Sequence, residues 1–154
     1  MKTEAARASA QIKQALKVKW PQVKFSVKSS VYSGGDSVHI SWTDGPTVDQ
    51  VQPIVRFYEY GTFDGMTDSY HMDNVKQCAP QAKYVMCNRD FSERSWELAT
   101  NQVLREKGMT DISREDFLEK WVPDSPTRQT PGYWGRTLVY QELHKLDLTE
   151  EVQQ

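Results

Sequence analysis

Two Asp-Gly segments carry the residues whose types and spacing come nearest to chemistry: WTDGPT from Trp42 to Thr47 and FDGMTDSY from Phe63 to Tyr70. Asp44, Asp64 and Asp68 would offer hard carboxylate oxygens to Mg²⁺ or Ca²⁺ if two loops at one sheet edge brought them together. Turn formation is the competing explanation, because Asp bonds its own backbone and Gly accepts positive φ. No D-x-D-x-D-G calcium loop occurs, turn formation accounts for more of these residues, and neither a metal nor another cofactor is expected. A nucleophile or zinc site would have to be assembled from His39, His71, Cys78, Cys87 and His144. Neither C-x-x-C nor H-x-x-x-H is present, and Cys87, inside the apolar run KYVMC, reads as a small core residue. With no G-x-S-x-G elbow and no glycine-rich phosphate loop, the residues name no reaction.

Charge is the second source of candidates. Lys2, Arg7, Lys13, Lys17, Lys19, Lys24 and Lys28 face only Glu4, seven against one, a balance of +6. From Asp36 to Asp73, seven acids face only Arg56, a balance of -6, so the overall net charge of -2 hides an asymmetry. Lys17, Lys19, Lys24 and Lys28, near Trp20 and Phe25, suit a phosphate track with stacking groups. Against this, a solvated helix produces the same charge count, and Phe25 lies on the apolar phase of its strand. Exposed aromatics in PGYWGR, Pro131 to Arg136, would suit protein recognition, although core packing explains them better.

The elements that must position these residues follow from periodicity. Thr3 to Val18 reads as an amphipathic helix ending before Trp20-Pro21. Val23, Phe25 and Val27 alternate with polar residues, Gly34-Gly35-Asp36 supplies a turn, and Val38, Ile40 and Trp42 alternate again, which predicts a β-hairpin. Thr47 with Gln50 has capping-box spacing for a helix carrying Val48, Val51, Val55 and Tyr58, with Pro53 implying a kink or a later start. Lys83 to Cys87 forms a further strand, and Tyr70 to Met72 an additional one. Ser92 and Ser113 are N-caps, each with staple-spaced apolar partners, and Gly108 is a C-terminal stop. Asp124 to Thr130 reads as a linker, and Pro131 as the first turn of a final helix that includes Tyr133 and Trp134 and reaches Leu146.

The fold class is therefore α+β: a small antiparallel sheet packed against helices, with a helical C-terminal extension. The expected division is an α+β domain over residues 1–108 and the extension over 109–154. At 154 residues, with 38% apolar residues and 17 aromatics, the chain can bury an ordinary core without disulfides. No apolar leader follows Met1-Lys2-Thr3-Glu4 and no run of about 18 apolar residues exists, so a cytoplasmic protein without a membrane span is expected.

The segment KFSVKSSVYSGGDSVHISWTDGPTVDQVQPIV followed by FDGMTDSY resembles the large polyvalent protein associated domain family numbered twenty-nine. The strand KFSV, the Ser-Gly-Gly turn, the ISWTDGPT junction and FDGM-x-D-x-Y carry the likeness, over about Ala5 to Arg94. The resemblance implies an accessory role in a phage or conjugative element, where such modules accompany transferred DNA and are thought to protect it or modulate host functions. It implies no catalytic residues. The reading that follows is a non-catalytic protein that binds and inhibits or modulates a host protein or protein complex, with Asp44, Asp49, Asp64, Asp68 and Tyr70 as its surface. The alternatives are a DNA- or RNA-binding domain using Lys17, Lys19, Lys24 and Lys28, and a metal-dependent enzyme at Asp44, Asp64 and Asp68.

Overall fold

The computed structural model describes residues 1–123 and 132–153. Helix α1, Glu4–Lys19, opens with the Thr3 hydroxyl accepting the Ala6 amide at 3.2 Å. It buries Ala5, Ala8, Ile12 and Leu16, residues three or four apart that make one apolar stripe. Strands β1, Ser26–Tyr32, and β2, Gly35–Thr43, form the expected hairpin. Val38, Ile40 and Trp42 of β2 are almost wholly buried, and each such side chain contributes about 1.5–3 kcal/mol relative to exposure. Thr47 caps α2, Val48–Val55, with both halves of the capping box made. Pro53 neither delays the start of α2 nor ends it at once; the chain tightens into a 3-10 turn at Arg56–Tyr58.

The main sheet has the order β1-β2-β5, where β5 is Tyr84–Asp90. It is mixed, where the hairpin signals imply an antiparallel sheet, because β5 runs parallel to β2 from Ser37↔Tyr84 to Thr43↔Asp90. Residues between the two strands supply the crossover that parallel pairing needs. Within that crossover lies a separate antiparallel ribbon of β3, Thr62–Asp64, and β4, Ser69–His71. The strand expected at Tyr70 to Met72 thus exists, but in this ribbon rather than in the sheet.

The rest is helical with one small ribbon. Ser92 caps α3, Glu93–Glu106, and Ser113 caps α4, Arg114–Leu118, while Gly108 has a φ of +66° as a helix stop. Tyr133 and Trp134 do not begin the last helix as expected. They form strand β7, paired with β6, Trp121–Val122, and the two indoles meet edge to face at 5.6 Å. Helix α5 is Gly135–Lys145; the backbone around Phe117 comes so close to Gly135 that a side chain there would clash. The expected linker, Asp124 to Thr130, and Pro131 lie outside the described residues.

Two apolar cores result. The first joins α1, α2 and the sheet; the second joins α3, α4, α5, Val122 and Leu148. Arg89, only 5% exposed, spans them. Its Nε donates to the Asp44 carbonyl at 2.9 Å and its Nη2 to Gly45 at 2.8 Å, both beyond the end of β2. The same guanidinium donates to Leu143 at 3.2 Å and Leu146 at 2.7 Å, at the C-terminal end of α5, and lies 4.9 Å from the Phe91 ring centre. The partly negative end of a helix favours a cation there. Because each stranded buried acceptor costs about 1–3 kcal/mol, Arg89→Met should lower the unfolding free energy by about 3 kcal/mol or more in urea titrations. Thr47→Ala, which removes one cap, should cost about 1 kcal/mol. Equal effects from the two variants would refute the bridging role.

Candidate functional site

The two Asp-Gly segments occupy different parts of the molecule. At the end of β2, Asp44 and Gly45 both take left-handed backbone angles, with φ of 57° and 62°, and turn the chain sharply. Asp44 is 8% exposed. Its amide donates to the Asp90 carbonyl at 2.8 Å, and its carboxylate accepts the Ser92 amide at 2.9 Å, just ahead of α3. Trp42 Nε1 donates to the Pro46 carbonyl at 3.0 Å, closing the same turn. WTDGPT is thus a corner brace between β2, β5 and α3. Beside it opens a cleft of about 640 Å³ lined by Lys24, Ser41, Thr43, Asp90, Arg94 and Glu151 among others. Its charges are mixed, and Arg94 pairs with Glu151 at 3.2 Å.

FDGMTDSY is the β3–β4 ribbon. Asp64 accepts the Met66 amide at 2.9 Å and the Thr67 hydroxyl at 2.8 Å, and these bonds, the Thr67 one foremost, hold its carboxyl below the usual range. Asp68 has a φ of 50° and is exposed in the turn. Thr67, Ser69 and His71 continue as a chain at 2.7 and 2.9 Å. A Ser-His contact on a short chain ending in a carboxylate resembles a nucleophile relay, but the proton order runs the wrong way. Thr67 must donate to Asp64, so Ser69 donates to Thr67 and accepts from His71, which leaves no base on the serine proton.

A polar frame roots the ribbon. Tyr70 Oη donates to the Lys83 carbonyl at 2.5 Å, and burial together with the negative Glu59 raises its pKa above the ordinary phenol value. Tyr60 and Tyr84 stand edge-on to the Tyr70 ring. Arg56 donates to Gly61 at 2.8 Å, Glu59 at 2.9 Å, Thr62 at 2.7 Å and Asp73 at 3.2 Å. Buried Gln81 bonds Phe57, Asn74 and Lys76, and Asn74 in turn bonds Arg56 and Glu59. This frame holds large apolar side chains in solvent: Phe63 is 50% exposed, Met66 95% and Met72 70%.

Of the five residues expected to share a surface, Asp64, Asp68 and Tyr70 lie on the ribbon. Asp44 is buried at the corner, and Asp49 sits in the first turn of α2, beside a cleft shared with Tyr140 and His144. Among the described residues no group of three or more His, Cys, Asp or Glu side chains can hold a metal ion, and Asp44, Asp64 and Asp68, the set considered for Mg²⁺ or Ca²⁺, are not brought together. The five Cys and His candidates are also scattered. His39 contacts Ser37 on the open sheet face, His71 is on the ribbon, and His144 lies edge-on to Phe91 and Tyr140. Cys78 is exposed, while Cys87 is part of the first core's margin. Of the basic candidates, Lys17 and Lys24 line one cleft together with Lys13. Lys19 sits over the Trp20 ring at 4.9 Å, and Lys28 pairs with His39 on the sheet. Phe25 packs edge-tilted between Trp20 and Trp42 rather than standing free for a base.

The residues that sequence reasoning missed are Arg56, Gln81 and Arg89. For Arg89 a signal exists: it follows Val85 and Cys87 on the inward phase of β5, where an arginine demands several carbonyl partners. Nothing local marks Arg56 or Gln81, whose partners are spread over two loops.

The first apolar core, the WTDGPT corner brace and the exposed β3–β4 ribbon all fall within the first 92 residues. The chain belongs to the large polyvalent protein associated domain 29 family, whose sequence model matches residues 3–92, more than half of the chain. This is a domain type of polyvalent proteins from phages or mobile elements. No curated protein and no solved structure matches the chain significantly. Among the described residues no helix is long and apolar enough to cross a membrane.

Burial, and next the negative Glu59, push the Cys87 thiol up to about 11, which leaves almost no thiolate at neutral pH. A thiol reagent at pH 8 should label Cys78 rapidly and Cys87 only after unfolding. Two equally fast cysteines in the native protein would contradict the placement of Cys87.

Proposed function

We propose that this chain is a non-catalytic accessory protein of a phage or mobile element that binds a host protein in the host cytoplasm and inhibits or modulates it, as in counter-defence. The observation that carries the reading is the β3–β4 ribbon. Phe63, Met66 and Met72 are exposed apolar side chains on or beside a ribbon whose backbone is braced by charged and buried hydrogen bonds, so docking would have to order side chains rather than the ribbon itself. Asp64 and Asp68 add negative charge on the same ribbon, while Asp73 is paired with Arg56, and this suits a partner with a basic rim. Asp44 supports the surface only by holding the corner, so Asp64, Asp68 and Tyr70 are the notable members of the expected set.

A host partner retained in stoichiometric amount by the wild type should be lost with Phe63→Asp/Met66→Asp at unchanged thermal stability. Retention by the double variant, or no stoichiometric partner in lysate of a permissive host, would overturn the assignment to the ribbon.

A second reading is favoured by one observation, the grouping of Lys13, Lys17 and Lys24 around a single cleft at the end of α1. Three phosphate contacts would give single-stranded DNA or RNA binding with a log-log salt slope of about -2, and Lys17→Glu/Lys24→Glu should abolish a gel shift at low salt. Absence of any shift at about 50 mM salt, where such contacts are strong, removes this reading. No observation favours the metal-dependent enzyme.

A further inference from the structure

The main sheet ends differently on its two sides. Beyond β5, the Val85 amide donates to Glu59 Oε1 at 3.1 Å, and Tyr58 and Tyr60 bond Ala82, so the start of that edge is covered. Beyond β1, no bond from the described residues reaches the outward backbone groups. Which groups those are follows from the register. The two-residue turn at Ser33–Gly34 makes Tyr32 and Gly35 a hydrogen-bonded pair, so by alternation Ser30, Lys28 and Ser26 also bond β2. The Asp44 amide, on the other parity of the β2 line, bonds Asp90 on the β5 side, as the alternation requires. Val27, Ser29 and Val31 therefore aim their N–H and C=O groups away from the sheet.

The side chains of these three residues lie on the helix-covered face, as shown by their pairing with the Ile40, Val38 and Asp36 positions. Ser29 is nevertheless exposed and Val31 is 61% exposed, so α1, which packs along β1, leaves these two side chains uncovered. A seven-residue edge that no described residue covers, with an exposed valine, is a template for another strand.

We infer that β1 is a homodimer contact, with the sheets of two copies joined into one of six strands. An antiparallel pair about a two-fold axis through Ser29 sets Val27 against the partner's Val31 and Ser29 against the partner's Ser29. These are hydrogen-bonded pairs, so all three outward N–H and all three outward C=O groups of each copy are used. On the open face Lys28 meets the partner's Ser30. Shifting the pairing by two residues towards the N-terminus would set Lys28 against the partner's Lys28, and like charges directly opposed are unfavourable. Full strand overlap and complete backbone pairing select this register, charge disfavours the one centred on Lys28, and because the same outward groups serve both sides of the two-fold axis, a second copy is the occupant we assign. One strand per copy buries less than the about 1,200 Å² of a stable interface, so the dimer is weak and forms with rising concentration. The inference is independent of the ribbon.

Sedimentation velocity across a dilution series up to high micromolar protein should show the mass rising from 17.8 kDa towards twice that value. Ser29→Pro removes a central outward N–H without touching the hairpin bonds, and Val31→Lys places a charge in the joint; each should keep the protein monomeric at all concentrations. Hydrogen exchange by NMR separates the edge from other contacts. The Val27, Ser29 and Val31 amides should gain protection on concentration, while the Lys28 and Ser30 amides are protected throughout. A wild type that stays monomeric, a dimer that survives Val31→Lys, or protection arising elsewhere with these three amides unchanged would overturn the inference.

Discussion

Arg89 donates to four carbonyls drawn from the turn after β2 and from the end of α5, and the arrangement of the chain is organised around keeping those carbonyls within its reach. A buried guanidinium is tolerated only when its donors are used, and backbone carbonyls at a sharp turn and a helix end are acceptors that secondary structure leaves free. The left-handed Asp44-Gly45 pair turns two of them inward. Gln50, bonded to Asp147 at 2.7 Å, and the Leu148 amide, bonded to the Gly45 carbonyl at 2.9 Å, anchor the segment after α5 to the same corner. Burial alone would raise the Asp147 carboxyl, but hydrogen bonds from Thr149 and Gln50 and the positive Arg89 together hold it below the ordinary value. The first unit and the C-terminal helices thus meet through polar bonds clustered at one point, with an apolar core on either side.

The ribbon is built on a different principle. It contributes little to either core, yet Arg56, Asn74, Gln81 and Tyr70 spend many hydrogen bonds on holding it. Rigid support of solvent-facing Phe63, Met66 and Met72 is hard to account for as a folding requirement, since those side chains bury no comparable area. The proposed docking through the ribbon is what would make use of this exposure. The same arrangement explains why the carboxylates look catalytic in the sequence: Asp44 and Asp64 are both satisfied by nearby amides and hydroxyls, which is how turns use aspartate.

Much of the fold was legible because its determinants are local. The Thr47 capping box, the Ser92 and Ser113 caps and the Gly108 stop depend on residues within about one turn, and the α1 stripe and the β1–β2 hairpin on periodic patterns in neighbouring stretches of chain. The α+β class and the family were legible for the same reason, since linked local motifs in order are what the sequence displays. Tyr133 and Trp134 carry a local helix pattern yet form a strand, because their decisive contact, the meeting of Trp134 with Trp121, is not local. The direction of β5 was likewise hidden, because the apolar run Tyr84 to Cys87 pairs equally well with either polarity until the crossover is in place.

The sequence by itself determined which residues turn, cap and alternate, since steric limits on φ and ψ and hydrogen bonds over three or four residues act before distant parts meet. Only the tertiary structure decided that Asp44 and Asp64 stay apart, that Arg89 joins two cores, and that no described residue pairs with the outer edge of β1. Those outcomes depend on which surfaces exclude water together, a property of the packed chain that no short segment carries.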